Sequence, residues 1–212
     1  FKDLILKNDR TNAINFAKSE GFDTVILDDG FQDYKIRKKI NIVCFNQSQK
    51  VGNGLVIPAG PLRENLSSLK NVHIVVINGE KDQNFEQKIL KINNNIDIFY
   101  SHYSPVEIDK FKNKRLLAVA GIGNPENFFR LLTRNNLNLE KRFIFPDHYK
   151  FSKNEILKII KYADSKNLNV IMTEKDYFKI KHFNLNKIEF LKVDLVLEQK
   201  EKFINRILTL YD

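Results

Sequence analysis

The chain contains 212 residues and has a formal net charge of +9, with 42% hydrophobic and 29% charged residues. This length predicts one or two domains, and the apolar fraction is large enough to fill a core, which excludes wholesale disorder. The single cysteine, Cys44, excludes an internal disulfide and a multi-cysteine zinc site, and it favours a reducing, cytosolic setting.

Short apolar runs without polar alternation predict strands that are buried on both faces. They lie at Leu4–Leu6, Thr24–Leu27, Ile40–Phe45, His73–Ile77, Ile96–Tyr100, Leu116–Ala120, Phe143–Phe145, Val170–Met172 and Ile188–Val193. Helical spacing and capping residues predict helices at Asp9–Ser19, Asn124–Asn135, Ser152–Lys166 and Glu198–Leu210. The alternation predicts an α/β fold with mainly parallel sheets and flanking helices.

Two interruptions in this pattern bear on domain organisation. Residues 46–69 are rich in glycine and proline and have little periodicity, which is typical of a functional loop. A second break lies near Ser101–Lys114. We therefore expect one domain over residues 1–103 and a second over 104–212.

The sharpest chemical signal is the pair Asp28 and Asp29, which follows the apolar run Thr24–Leu27. In P-loop phosphotransferases an acid at this point holds Mg²⁺ beside the phosphates. The alternative is a simple turn, because Asp-Gly is a turn signal. The usual partner motif, G-x-x-x-x-G-K-[ST], does not occur in these 212 residues.

Further motifs follow the acidic pair, and each has a plain structural alternative. Arg63, after Gly52-Asn53-Gly54, has a guanidinium that matches phosphate geometry, or it belongs to a rigid surface turn. Gly121 and Gly123 form a tight strand-to-helix turn, with Glu126 where a dinucleotide fingerprint has its third glycine. His148 suits acid–base work or a structural hydrogen bond. Lys175 suits an anionic ligand, within a helix cap formed by Thr173 and Asp176.

The positive charge suggests nucleic acid or an anionic membrane as a partner, but its pattern argues against nucleic acid. Most of it comes from scattered lysines, and the sequence has no RNA-recognition aromatic motif and no Cys/His finger. We therefore expect no nucleic-acid partner.

The order of these motifs resembles the tetraacyldisaccharide 4′-kinases of lipid A biosynthesis, from about Asp9 to about Val193. The matching segments are Asp28-Asp29-Gly30-Phe31-Gln32, Gly52-Asn53-Gly54 with Pro58 to Glu64, Ala120 to Pro125 with Phe128-Phe129, Asp147-His148, and Thr173-Glu174-Lys175-Asp176. The resemblance implies the remainder of a P-loop kinase domain plus a smaller α/β domain. It also implies transfer of the ATP γ-phosphate, with Mg²⁺, to the 4′-hydroxyl of tetraacyldisaccharide 1-phosphate.

The resemblance also implies roles for individual residues. Asp28 and Asp29 would lie by the metal, and Arg63 and Asn53 would bind the lipid disaccharide. His148 would orient or tune a catalytic Asp from a segment outside this sequence. The residues that would line the cleft face of the second domain are Gly121, Gly123 and Lys175.

The N-terminal end of the chain differs from the family. It does not contain the family's membrane-contacting helix, its Walker A loop or the segment with its catalytic Asp. We therefore expect a fragment that is inactive alone, from an enzyme at the cytoplasmic face of the Gram-negative inner membrane. The implied partners are the lipid substrate and the anionic membrane surface, with no stable protein partner. Asp33 and Tyr149 stand where family members often have histidine. The alternative is a stand-alone, non-catalytic anion-binding module; the coding DNA upstream of Phe1 distinguishes the two.

Overall fold

The structure is a computed structural model that describes residues 3–211. Helices and strands alternate along most of this range, as the sequence predicts. In chain order they are α1 (Arg10–Ser19), β1 (Ile42–Asn46), β2 (Ile74–Asn78), α2 (Gln83–Leu90), β3 (Asp97–Pro105), β4 (Arg115–Ala120), α3 (Pro125–Arg134), β5 (Asn138–Ile144), α4 (Lys153–Lys166), β6 (Asn169–Thr173), α5 (Glu174–Ile180), β7 (Ile188–Leu191), β8 (Val193–Leu197) and α6 (Lys200–Tyr211).

The first sheet has the strand order β1-β2-β3-β8, and β1, β2 and β3 run parallel. Strand β2 is buried on both faces. Val75 and Ile77 pack in one cluster with residues of α2, whereas Ile74 and Val76 pack with residues of α6. This two-sided burial explains why the sequence of β2 is continuously apolar.

The second sheet has the order β5-β4-β6-β7, and all of its pairs are parallel. Helix α3 covers one face of β4 through Phe128 and Phe129, and α4 covers the other through residues such as Ile156. The predicted capping box at the start of α4 is confirmed, since Ser152 and Glu155 bond reciprocally. The prediction of an α/β fold with mainly parallel sheets is thus confirmed.

The chain divides into two compact units, one up to Ser101 together with the residues from Leu197 on, and the other from His102 to Val196. The sequence predicted a boundary near residue 103 but assigned the whole C-terminal part to the second domain. Helix α6 instead belongs with the first unit because Phe203, Ile207 and Leu210 pack against β2 and β3.

Two predicted strands are wrong. Leu4–Leu6 and Thr24–Leu27 have irregular backbone, and Ile26 is 93% exposed. A strand needs a neighbour for its backbone hydrogen bonds, and within residues 3–211 no strand pairs with either run. The run Ile188–Val193 is not one strand, because it breaks at Lys192 between β7 and β8.

Candidate functional site

Asp28 and Asp29 are the exposed residues of a loop of the first unit, residues 28–33, which we call the acidic loop. Two cationic side chains hold its backbone by the carbonyl oxygens. The Arg10 guanidinium donates to the Asp28 and Asp29 carbonyls at 3.2 and 3.1 Å. The Lys38 ammonium group donates, at 2.6 to 3.1 Å, to the carbonyls of Gly30, Phe31 and Asp33. The Asp33 carboxylate adds an ion pair with Arg10 at 3.5 Å and accepts the Lys35 amide at 3.2 Å, so the loop is held by its carbonyls and by Asp33.

Asp29 and Arg63 form an ion pair that joins two segments far apart in the sequence. One terminal nitrogen of Arg63 lies 2.6 and 2.7 Å from the two carboxylate oxygens of Asp29. The hydrogen bond from Arg63, helped by its charge, holds the pKa of Asp29 below its ordinary value. The structure therefore brings the expected metal ligand and the expected substrate-binding arginine together, and it keeps Asp29 ionised.

The donor chemistry of the acidic loop fits magnesium. Mg²⁺ prefers oxygen ligands and is commonly held by one or two carboxylates together with waters and substrate phosphates. Asp28 and Asp29 can supply those carboxylates. Within residues 3–211 no group of three or more acidic, histidine or cysteine side chains is arranged to hold a metal ion by itself. The loop thus fits a metal that a bound phosphate helps to hold, and Asp29 must share its oxygens with Arg63 or release it.

Asn53 braces the loop that carries Arg63, residues 52–63, which we call the arginine loop. Its side-chain nitrogen donates to the Ala59 carbonyl at 2.8 Å, and its side-chain oxygen accepts from the Leu55 amide at 3.1 Å. A Cβ atom on Gly60 would lie 2.1 Å from that oxygen, so only glycine fits there. The structure gives Asn53 an internal role, and its predicted contact with substrate stays a prediction.

In the second unit, loops at the carboxyl ends of β4, β5 and β6 bring together the remaining predicted residues. The turn after β4, residues 121–124, passes close to the loop after β5, residues 145–149. A Cβ atom on Gly123 would lie 3.1 Å from an Asp147 carboxylate oxygen. Lys175, in the first turn of α5, lies 3.6 Å from the other oxygen of Asp147. Parallel sheets commonly bind ligands at this edge.

His148 is held by its backbone and presents its side chain to solvent. Its φ of 58° places it in the left-handed region, and its amide donates to the Asp147 carboxylate at 2.9 Å. The side chain is 78% exposed, and its Nε2 lies 3.8 Å from Asp147. Desolvation alone would raise the pKa of Asp147, but the His148 amide and the charge of Lys175 lower it. A ring this exposed is available to a ligand or to another carboxylate.

Asp176 is the main residue that sequence reasoning missed. It was predicted as part of a helix cap, and the cap is confirmed, since its amide donates to the Thr173 hydroxyl at 3.2 Å. Its carboxylate, however, is fully buried and accepts the Gly121 amide at 2.7 Å. Arg10 and Lys38 were missed as well. A lysine or arginine that binds carbonyl oxygens leaves no motif in the sequence.

The fold and these sites define an α/β protein with two mainly parallel sheets. Its charged loops, which in the second unit lie at strand ends, suit phosphate and metal ligands. Comparison with known proteins narrows this class. The model of the family LpxK, tetraacyldisaccharide-1-P 4'-kinase, matches residues 2–212. The chain therefore belongs to the LpxK family, and the resemblance predicted from its motifs is confirmed.

Individual relatives agree with this assignment. The tetraacyldisaccharide 4'-kinase of Pelagibacter ubique is 39% identical over 204 residues, which cover 95% of this chain and 65% of that protein. The Haemophilus influenzae enzyme of the same name is 32% identical over 94% of this chain and 58% of its own length. The chain thus spans about three fifths of the length of these relatives.

A solved structure shares the fold. The crystal structure of LpxK from Aquifex aeolicus in complex with ATP aligns with a TM-score of 0.65 and 21% sequence identity. The alignment covers 96% of this chain and 62% of the Aquifex chain.

Proposed function

We propose that this chain is part of an ATP-dependent lipid kinase that phosphorylates the 4′-hydroxyl of tetraacyldisaccharide 1-phosphate. The observation that carries the proposal is the family match over residues 2–212, together with relatives named tetraacyldisaccharide 4'-kinase. These matches support the kinase interpretation and not the stand-alone binding module. The ATP in the Aquifex structure supports ATP as the phosphate donor.

The acidic and arginine loops bind the charged groups that take part in the reaction. Phosphoryl transfer is catalysed mainly by positioning and by stabilising negative charge on the phosphoryl oxygens. Asp28 and Asp29 would hold Mg²⁺, which supplies positive charge beside the phosphates when bound. Arg63 binds the lipid disaccharide, because its guanidinium offers several donors in one plane. The ion pair between Arg63 and Asp29 keeps both charges in place before ligands arrive.

His148 acts on a carboxylate supplied by another segment. A histidine that hydrogen-bonds a general base orients it and tunes its basicity. Two features support this role, namely the exposed ring and the backbone held by the Asp147 carboxylate. Lys175, Gly121 and Gly123 shape the neighbouring strand ends.

The substrate places the enzyme at a membrane. We infer peripheral action at the cytoplasmic face of the inner membrane, because the acceptor is a lipid and a net charge of +9 favours an anionic surface. Within residues 3–211 no helix is long and apolar enough to cross a membrane.

A direct assay tests the proposal. The full-length protein, expressed from the complete open reading frame that encodes this chain, is incubated with γ-labelled ATP, Mg²⁺ and tetraacyldisaccharide 1-phosphate. We expect label in the lipid and, after product analysis, a phosphate at the 4′ position. ATP hydrolysis without lipid labelling, or labelling at another hydroxyl, would refute the proposed acceptor.

A further inference from the structure

The carboxylate of Asp176 is fully buried in the second unit. Its partners come from its own helix and from a distant strand end. One oxygen accepts the Thr173 hydroxyl at 2.8 Å and the Gly121 amide at 2.7 Å. The other accepts the Lys179 ammonium at 2.7 Å. Asp176 therefore connects the start of α5 with the end of β4, 55 residues earlier.

Lys179 binds the backbone of the same glycine that Asp176 binds, Gly121. Its ammonium group also donates to the Gly121 carbonyl, at 3.2 Å. The amide and the carbonyl of Gly121 are thus both bound by charged side chains from α5. The surroundings of Gly121 are close-packed, because an added Cβ would lie 3.3 Å from the Phe151 ring and 3.4 Å from Asp176.

This arrangement exceeds what a helix cap needs. The hydroxyl of Thr173 already caps α5 by accepting the Asp176 amide, and a capping role leaves the carboxylate free to face solvent. Burying a carboxylate is costly unless it is paired and hydrogen-bonded. Here it is paired with Lys179 of the same helix, and it also accepts the amide of Gly121, on the turn that follows β4.

That turn lies against the loop that holds His148. The Phe145 amide donates to the Ala120 carbonyl at 2.8 Å, which joins the two strand ends. Gly123 lies against the Asp147 carboxylate, and that carboxylate accepts the His148 amide. A shift of the β4 turn would therefore move Asp147 and the backbone of His148.

We propose that Asp176 is a positioning residue. With Lys179 it holds the backbone amide and carbonyl of Gly121, an arrangement that we call the clamp, and through the turn after β4 it sets the position of the Asp147–His148 loop. The clamp itself is independent of the proposed function. Its effect on turnover rests on the kinase assignment, in which His148 orients the general base.

The test uses Asp176→Asn in the full-length protein, because asparagine keeps the shape and removes the charge. Asp164→Asn is the matched control, since Asp164 also pairs with a lysine in the same unit but is exposed. Amide chemical shifts are read by NMR. We expect Asp176→Asn to shift the amides of Gly121, Gly123, Asp147 and His148, and we expect Asp164→Asn to leave them unchanged.

Kinetics provide the second measurement, made well below the melting temperature of each variant. A misplacement of ~1 Å can reduce turnover by up to ~10²-fold, so we expect kcat to fall at least tenfold in Asp176→Asn. The KM for ATP should stay within about twofold of the control, because losing an interaction that acts only in the transition state lowers kcat and leaves KM unchanged. If Asp176→Asn does not fold, Lys179→Arg tests the same clamp, because it keeps the positive charge beside Asp176 and changes the donor that reaches the Gly121 carbonyl.

The outcomes distinguish the positioning role of Asp176 from the proposed kinase function. Unchanged His148 and Asp147 amides, or a kcat equal to that of Asp164→Asn, would overturn the positioning role. A wild-type protein that does not phosphorylate the lipid would refute the proposed function, and the amide shifts would still decide the clamp.

Discussion

Replacing Asp29 by asparagine in the full-length protein distinguishes a functional acid from a structural one. Asp29 is 61% exposed and its partner Arg63 is 59% exposed. Exposed ion pairs contribute only ~0.2–1 kcal/mol to folding. Asparagine also tolerates the left-handed backbone of position 29, where φ is 50°. We therefore expect the free energy of unfolding to fall by less than about 1 kcal/mol, a shift of at most about 4 °C in Tm.

The effect on turnover should be far larger than the effect on folding. If Asp29 helps to hold Mg²⁺, the substitution removes a negative charge at the metal, and we expect kcat at saturating ATP to fall about a hundredfold, or ~2.7 kcal/mol. The required Mg²⁺ concentration should rise. Both are measured by titrating Mg²⁺ in the lipid phosphorylation assay, with Tm determined on the same preparation.

Asp164→Asn is again the control. Its carboxylate pairs with Lys187 at 2.8 Å and is 51% exposed, so its loss should cost similar stability and no activity. Equal kcat and equal Mg²⁺ dependence in Asp29→Asn and Asp164→Asn would refute the metal role and leave Asp29 as a turn residue paired with Arg63.

Three further predictions follow from the same structure. Arg63→Lys should raise the KM for the lipid more than the KM for ATP, because lysine keeps the charge but loses the planar donors; a selective rise in the ATP KM would contradict this. The 212-residue chain alone should not phosphorylate the lipid, since it has no G-x-x-x-x-G-K-[ST] motif to hold the β- and γ-phosphates; turnover by the purified chain would refute this. Hydrogen bonds led by that of Ser152 lower the pKa of Glu155 from 4.5 to about 2, so Glu155 should stabilise the fold above pH 4.5 and lose this effect as pH falls toward 2. The melting temperatures of Glu155→Gln and wild type should therefore converge in acid. A difference in melting temperature that does not change with pH would contradict the prediction.

The core of both sheets could be predicted from the sequence because it is encoded locally. Strands such as β2, β4 and β6 are continuously apolar, and a strand buried on both faces requires that pattern. The N-terminal cap of α4 could also be predicted, because Ser152 and Glu155 have the spacing of a capping box. Helix α2 was missed because only Phe85 and Ile89 mark its buried face.

The same apolar pattern led to a wrong strand prediction where strand formation depends on a partner elsewhere in the sequence. Thr24–Leu27 has the composition of a buried strand, yet Val25 and Ile26 are exposed. Composition shows what a segment can form, whereas a strand also needs a neighbour, and a neighbour cannot be deduced from the segment itself. The acidic pair after this run was still identified, because its signal is the residue type and not the strand.

The contacts between distant residues could not be predicted from any motif, and they divide the candidate residues into two physical kinds. Asp29 pairs with Arg63 at the surface, where water already solvates both charges, so we expect its loss to change ligand binding and barely to change folding. Asp176 is buried, so removing its charge leaves the Lys179 ammonium group without its ion-pair partner. The substitution therefore lowers stability and also changes the geometry of the site. An effect on activity alone therefore identifies a ligand-binding role only at exposed positions such as Asp29, Arg63 and His148. At Asp176 the loop positions must be measured directly, because reduced activity there has two causes that a kinetic constant does not separate.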